Sequence, residues 1–141
     1  MRQTTVETVV AQARAAQTQF ETASQEVVDE LIIGLAWAII EPETNRSLAE
    51  QAVLETGLGN VEDKIIKNHR KTLGLLRDLK KATSCGIIRE IPEQGLVEIA
   101  RPVGVVGAVT PSTNPIATPL NKTLNALKGR NAIILAPSPK G

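Results

Sequence analysis

Few residues in this sequence have the chemistry of a nucleophile or a metal ligand. The chain has one cysteine, Cys85, and one histidine, His69. His69 lies among lysines and arginines, with no second histidine and no nearby cysteine pair, so no metal site is predicted. Cys85 has no acid–base partner near it in the sequence, and we expect an inert thiol rather than a nucleophile. A lone cysteine cannot form an internal disulfide and indicates a reducing compartment, with the cytoplasm as the expected location.

Polar residues with possible binding roles follow two predicted strands near the end of the chain. VGVVGAVTP, which begins at Val103, and AIILA at 132–136 are apolar runs typical of strands buried on both faces. A helix is predicted between them over 115–128, with Asn114 as N-cap, Pro115 at the first helical position and Gly129 at its end. Strand, helix and strand make one βαβ unit with a right-handed crossover. The predicted class is therefore α/β.

The carboxyl ends of parallel strands are where open α/β sheets bind ligands. Gly104 and Gly107 do not form a GxGxxG fingerprint, and no GxxxxGK loop is present, so an ordinary dinucleotide motif and a P-loop are both excluded. The candidates for ligand contact by this rule are Thr110, Pro111 and Ser112, at the carboxyl end of the first strand.

Four helices are predicted upstream of this unit. The first has an apolar stripe from Val6 to Phe20, and the second begins after Thr22 or Ser24 and carries the apolar run 31–40. That run is shorter than the roughly 20 residues of a membrane span. Pro42 ends the second helix because proline lacks an amide hydrogen.

The third helix is predicted to open at a capping box formed by Ser47 and Glu50 and to end near Gly57 and Gly59. Asn60 caps a fourth helix over 61–81. Its predicted apolar side consists of Ile65, Ile66, Leu73, Leu76 and Leu79. Its many lysines and arginines form either a solvated face or a phosphate-binding patch.

A β-hairpin is predicted after the helices. Two apolar segments, 87–91 and 96–99, flank the turn-forming sequence PEQG. An isolated two-stranded ribbon is marginal in water, so we expect it to pack on another sheet or another subunit. The predicted organisation is a helical segment at 1–84, a hairpin at 85–101 and the start of a cofactor domain at 102–141.

Composition argues against nucleic-acid and membrane partners. The formal charge is +1, and Trp37 and Phe20 are the only aromatic residues, which leaves few surfaces on which bases could stack. The N-terminus carries no secretion signal. A binder that used the basic helix would instead show affinity that falls steeply with salt.

The string RPVGVVGAVTPSTNPIATPLNKTLNALKGRNAIILAPSP at 101–139 resembles the first segment of the cofactor domain of the aldehyde dehydrogenase superfamily. The forms PSTNP and ALKGRNAII, with ETGLGNVEDK and GLVEIA upstream, resemble its CoA-acylating branch in particular. The resemblance implies oxidation of an aldehyde on a cysteine, hydride transfer to NAD or NADP, and transfer of the acyl group to coenzyme A. It also implies a subunit-contact role for the hairpin, and hence a homo-oligomer.

The resemblance assigns roles to individual residues. Asn114 matches the asparagine whose amide stabilises the oxyanion, and Lys122 matches a lysine that faces the site from the crossover helix. The family's catalytic cysteine lies far downstream in a separate domain, so we expect this chain to be an N-terminal portion that is inactive alone.

For the cofactor, the resemblance implies adenosine-side contacts from Ala136, Pro137 and Ser138, which end the second strand, with Lys140 as a substitute for a missing ribose partner. The common non-acylating pattern has lysine where Ala136 stands and glutamate where Pro139 stands, so the choice between NAD and NADP stays open. The substrate also stays open among acetaldehyde, succinate semialdehyde and sulfoacetaldehyde. A non-catalytic interaction module, built from the helices and the hairpin, is the alternative from another class.

Overall fold

The computed structural model describes residues 5–139 and shows a mixed α/β chain, as predicted. Five α-helices precede or separate four short strands. The elements are α1 (Val6–Phe20), α2 (Gln25–Ile40), α3 (Pro42–Thr56), α4 (Val61–Leu79), β1 (Gly86–Ile91), β2 (Leu96–Ala100), β3 (Val105–Val109), α5 (Ala117–Lys128) and β4 (Ala132–Ala136). Within the described range, no helix is both long and apolar enough to cross a bilayer.

Side-chain caps define the starts of α2 and α4. Ser24, not Thr22, caps α2, because its hydroxyl accepts a hydrogen bond from the Val27 amide at 3.3 Å. Asn60 caps α4 as predicted, and its side-chain oxygen accepts from the Asp63 amide at 2.9 Å. These caps satisfy backbone donors that have no partner inside a helix.

The predicted start of α3 is wrong. The helix begins at Pro42, five residues before the Ser47 of the proposed capping box, and Glu41 is its N-cap. The Glu41 carboxylate accepts from the Thr44 amide at 3.0 Å and from the Thr44 hydroxyl at 3.1 Å. Pro42 ends α2 and also opens α3, because a proline at the first helical position lacks only a donor that would have no partner there.

The core is formed where α2, α4 and α5 meet. Ile32, Ala36, Leu120 and Leu124 are its buried centre, and partly buried leucines and an isoleucine from all three helices surround them. Removal of this apolar surface from water holds the helical layer against the crossover helix. The elements that carry the predicted site are therefore fixed to the helical lead-in.

The predicted apolar side of α4 is only partly correct. Leu76 and Leu79 pack on the core, but Ile66 and Leu73 are exposed. The buried positions on this helix are Lys64, Asn68 and Thr72, at a spacing of four residues. Asn68 donates to the side-chain oxygen of Asn45 at 2.9 Å, and Asn45 donates to the Ile65 carbonyl at 3.1 Å. A polar seam, rather than an apolar one, joins α3 to α4.

The strands form two separate pairs. β1 and β2 are antiparallel, with a bulge between Ile87 and Arg89, and the hairpin has the predicted position. β3 and β4 are parallel and in register from Val105↔Ala132 to Val109↔Ala136, with α5 as the connection. Strand, helix and strand over 105–136 confirm the predicted βαβ order.

Asn131, in the turn between α5 and β4, links several segments. Its side-chain oxygen accepts from the amides of Val103 at 2.7 Å and Gly104 at 3.0 Å, and its amide nitrogen donates to the Ala126 carbonyl at 3.2 Å. Because it is only 8% exposed, these bonds replace water for the start of β3 and the end of α5.

Arg130 and Lys128 extend the same junction. Arg130 has φ of 57° and donates to the carbonyls of Glu21 at 2.6 Å and Ala100 at 3.0 Å. The buried Lys128 ammonium forms a salt bridge with Asp29 of α2. The KGRN part of the ALKGRNAII string is thus structural: it joins α1, α2, the hairpin and the parallel pair.

Candidate active site

The carboxyl ends of β3 and β4 lie side by side. The Thr110 amide donates to the Ala136 carbonyl at 3.0 Å, and the Thr110 hydroxyl lies 3.5 Å from the same oxygen. Thr110 is buried, so these bonds extend the parallel pairing by one residue beyond the strands. The two groups of residues predicted to contact a ligand therefore meet at one edge of the sheet.

A cavity of about 370 Å³ opens at this edge. Three of the predicted cofactor contacts line it, Thr110, Pro111 and Pro137. Ser112, Ala136 and Ser138 do not line it, and Lys140 lies outside the described residues. The other lining residues come from α3, from the segment before and at the start of α5, and from β4: Leu48, Gln51, Ala52, Glu55, Pro115, Ile116, Pro119 and Leu135.

Asn114 is not the N-cap of α5, so the capping prediction is wrong. The helix begins at Ala117, after the backbone cap Ile116, and 112–116 form turns and a bend. The first helical hydrogen bond runs from the Leu120 amide to the Ile116 carbonyl at 3.2 Å. Pro119 has no amide hydrogen, so it cannot make the earlier bond to the Pro115 carbonyl that a start at Pro115 would need.

Asn114 is half-buried, and its side chain makes no hydrogen bond to any group within 5–139. It lies in the turn segment between the end of β3 and the start of α5, next to Pro115 and Ile116, which line the cavity. Asn114 itself does not line that cavity. Its carboxamide is nevertheless not used for capping, so both of its polar atoms are available to a ligand.

The other residues that the sequence analysis weighed for a chemical role are Lys122, Cys85 and His69. Lys122 is exposed on α5. Cys85 is half-buried, and its sulfur lies 3.7 Å from the Ala23 carbonyl and 3.9 Å from the Ser84 hydroxyl. His69 is exposed, and no group of three metal-binding side chains occurs in the described part of the chain.

A second and larger cavity lies along α4, the helix whose lysines and arginines were predicted to form either a solvated face or a phosphate-binding patch. We call it the α4 groove: it has a volume of about 640 Å³ and lies along α4, with Asn121 of α5 on its other side. The basic content of α4 was the available sequence signal, but nothing in the sequence indicated Asn121. The lining residues are Asp63, Ile66, Lys67, Arg70, Lys71, Gly74, Leu75, Arg77, Asp78 and Asn121.

Lys64, beside this groove, is in an unfavourable setting for a charge. Lys64 is only 5% exposed, and its ammonium has no hydrogen-bond or ion-pair partner among the described residues. Burial lowers the pKa of Lys64 below its ordinary value, and repulsion from Lys67 lowers it further.

Comparison with known proteins identifies the family to which the chain belongs. Across its whole length, residues 1–141, the chain matches the model of the aldehyde dehydrogenase family. The chain belongs to that family, in agreement with the resemblance in its sequence. This match is independent of the geometry of the strand ends.

The individual relatives are acylating enzymes. An acylating sulfoacetaldehyde dehydrogenase of Cupriavidus necator is 62% identical over 136 residues, which are 96% of this chain and 28% of that protein. An acetylating succinate-semialdehyde dehydrogenase of Clostridium kluyveri is 42% identical over 96% of this chain and 29% of its own length. The chain thus spans less than a third of either relative.

A solved structure has the same fold. The acetylating aldehyde dehydrogenase of Geobacillus thermoglucosidasius superposes with a TM-score of 0.91 at 41% identity, over 96% of this chain and 29% of that one. The helical lead-in, the hairpin and the βαβ unit therefore correspond to the N-terminal part of an acylating aldehyde dehydrogenase.

Proposed function

We propose that this chain is the N-terminal portion of an NAD(P)-dependent, CoA-acylating aldehyde dehydrogenase. The whole enzyme converts an aldehyde, coenzyme A and NAD(P)⁺ into an acyl-CoA and NAD(P)H. The observation that carries the proposal is the position of Asn114 in the turn between β3 and α5 of a family member, with its carboxamide bonded to no other described residue.

Asn114 is the residue we assign to the reaction itself. When a thiolate attacks the carbonyl carbon, negative charge develops on the aldehyde oxygen, and a fixed amide N–H stabilises that charge more than it stabilises the ground state. The Asn114 carboxamide supplies such a donor. Lys122, the sixth residue of α5, adds a cation to the same helix, and its exposed ammonium is free to turn toward a ligand.

The nucleophile must come from other polypeptide. Cys85 precedes the hairpin and lies against the Ala23 carbonyl and the Ser84 hydroxyl, and neither group is a base. A thiolate needs a nearby cation, base or helix N-terminus to form at neutral pH. We therefore expect the 141-residue chain to be inactive on its own.

The carboxyl ends of β3 and β4 lie where a nicotinamide cofactor would bind, but they carry few side chains that could hydrogen-bond it. Thr110, Pro111 and Pro137 line the cavity at the edge where α/β sheets bind dinucleotides. Ser112, Ala136 and Ser138 are the flanking contacts, and the bound cofactor would accept the hydride. Ala136 and Pro139 carry no side-chain group that could hydrogen-bond a ribose, so the Ser138 hydroxyl and the Lys140 ammonium are the predicted contacts at this end of the chain that carry hydrogen-bond donors for it.

We also propose that the substrate is a short aldehyde with an anionic group. The two relatives described above are named for sulfoacetaldehyde and succinate semialdehyde, which carry a sulfonate and a carboxylate. Location in the cytoplasm and the absence of nucleic-acid and membrane partners belong to the same proposal. For the hairpin we propose contact with a second copy, because its isoleucines, Ile87, Ile88 and Ile99, are about half exposed.

A chimera tests the assignment. This chain would replace the matching 136-residue stretch of the Cupriavidus necator enzyme, and NAD(P)H formation would be followed with sulfoacetaldehyde and coenzyme A. We expect an active chimera and no turnover by the 141-residue chain alone. An inactive but folded chimera would overturn the proposed function, and turnover by the chain alone would return attention to Cys85.

A further inference from the structure

Large apolar side chains are exposed along a groove between α2 and α4. The groove has a volume of about 370 Å³, and Ile33 of α2 and Leu73 of α4 line it while remaining about half exposed. Trp37, one helical turn beyond Ile33 on the same side of α2, is 61% exposed. Single exposed apolar residues are ordinary, whereas a patch of large ones with a polar rim marks an interaction surface.

The α2 side of this apolar patch is acidic. Glu26 and Glu30 precede Ile33 by seven and three residues, a spacing that places all three on one side of the helix. Both glutamates are exposed, and neither side chain has an ion-pair or hydrogen-bond partner within residues 5–139. Asp29, which lines the groove, already pairs with the buried Lys128. The two glutamates are therefore the carboxylates that α2 offers to a partner.

The α4 side of the patch is basic. Arg77 and Lys80, four and seven residues after Leu73, line the groove and are exposed. The Lys80 ammonium has no ion-pair partner in the described part of the chain. Arg77 pairs with its neighbour Asp78 at 3.1 Å, but both side chains are mostly in solvent, and such pairs contribute only about 0–1 kcal/mol. Both cations are thus available to an acidic partner surface.

An apolar patch with one acidic and one basic side is complementary to a second copy of itself. In a two-fold contact both copies use the same surface, so every contact between two residues occurs twice, with the roles exchanged. With the two-fold axis through the groove, α2 of each copy lies across from α4 of the other. The glutamates of one copy then meet the cations of its partner on both sides of the apolar centre, and such complementarity favours this pairing over others.

We propose that this surface, which we call the α2–α4 face, binds a second copy of the chain in a two-fold contact. The contact is separate from the one proposed for the hairpin and does not depend on the proposed function. The segment before the hairpin meets α2 at Gln25, whose side chain accepts from the Ser84 amide at 2.8 Å. Gln25 lies about 18 Å along the helix axis from Trp37. The α2–α4 face consists of Glu26, Glu30, Ile33, Trp37, Leu73, Arg77 and Lys80.

Trp37 is the single tryptophan of the chain, so its fluorescence reports on this face alone. Sedimentation velocity and tryptophan emission of the 141-residue chain would be followed from about 1 µM to about 1 mM, a range that covers weak association. We expect a dimer to form as concentration rises, with Trp37 emission moving to shorter wavelength over the same range. A monomer at every concentration would overturn the proposal. A dimer with unchanged emission would do the same, because it would place the contact on another surface such as the hairpin.

Charge reversal tests the two-fold arrangement. One variant carries Glu26→Lys with Glu30→Lys, and the other carries Arg77→Glu with Lys80→Glu. Each variant alone should associate at least about tenfold more weakly than the unmodified chain, because like charges then face each other on both sides of the axis. An equimolar mixture should recover the association as a heterodimer, since the new lysines of one variant meet the new glutamates of the other. A mixture that associates no better than its components would refute the two-fold contact.

A substitution in the apolar centre has a matched control. Ile33→Asp should weaken association by at least about tenfold, because it places a charge at the centre of the contact. Leu54→Asp should associate as the unmodified chain does, since Leu54 is 85% exposed on α3 and does not line the groove. Equal weakening by both variants would show non-specific apolar aggregation and refute the proposal. Because the readout is association of the chain itself, failure here is distinct from failure of the chimera to turn over.

Discussion

Asn131 offers the sharpest test of how the βαβ unit is fixed. Asn131→Ala removes one acceptor that serves the Val103 and Gly104 amides and one donor to the Ala126 carbonyl. Three hydrogen bonds at about 1 kcal/mol each give about 3 kcal/mol of lost stability. Val103 is 83% exposed, so water can reach its amide in part, and the loss should lie between about 2 and 4 kcal/mol.

Urea unfolding followed by circular dichroism measures this loss. With a slope of about 1–3 kcal/mol per molar urea, the midpoint should fall by about 1–3 M. Asn125→Ala is the matched control, because Asn125 is exposed and donates only to the Asn121 carbonyl one turn earlier in α5. The control should stay within about 0.5 kcal/mol of the unmodified chain. An Asn131→Ala variant as stable as the control would refute the reasoning.

Substitutions at three further positions test other features of the fold. Gly129→Ala should lower the free energy of unfolding by about 1–3 kcal/mol, because the added Cβ would lie 2.8 Å from the side-chain nitrogen of Asn131, whose hydrogen bonds hold it in place. An unchanged midpoint of urea unfolding would contradict that packing. Glu41→Ala should cost about 1 kcal/mol by removing the cap that holds Thr44, and Glu41→Asp should restore part of it. Because the pKa of Lys64 is lowered in the fold, its protonation favours the unfolded chain. The free energy of unfolding should therefore rise as the pH increases toward 10.5, the ordinary pKa of lysine. Urea unfolding at pH 7 and at pH 9.5 measures this rise, and the Lys64→Met variant should lack it.

The sequence predicted those features that depend on local patterns. The hairpin follows from two apolar segments around PEQG, and the parallel pair follows from two β-branched runs separated by one helical segment. Asn60 was predicted as a cap because the helical pattern begins directly after it. In each case the residues that predict the feature lie within one short segment of the chain.

Features that depend on distant contacts were not predicted. The buried face of α4 is polar because Asn68 meets Asn45 of α3, and a hydrophobic pattern cannot reveal such a pairing. The start of α5 depends on a donor that is missing at Pro119, four residues beyond the proposed first helical position. The role of Asn131 depends on backbone groups almost thirty residues earlier in the chain.

In the candidate site, too, the features that depend on local patterns were predicted and those that depend on distant contacts were not. The meeting of Thr110 with Ala136 follows from parallel register once both strands are recognised. The α4 groove requires two helices to be brought together, and its orphaned Asn121 oxygen can be seen only after they are packed. The role proposed for Asn114 rests on family membership, together with a side chain that makes no hydrogen bond within residues 5–139.

The kcat of the chimera with Asn114→Ala tests that central assignment most directly. Loss of an oxyanion donor should lower kcat by about 10²–10³ with little change in KM, whereas Asn125→Ala in the same chimera should leave kcat unchanged. A folded Asn114→Ala chimera with the kcat of its parent would show that this amide does not stabilise the reacting oxygen.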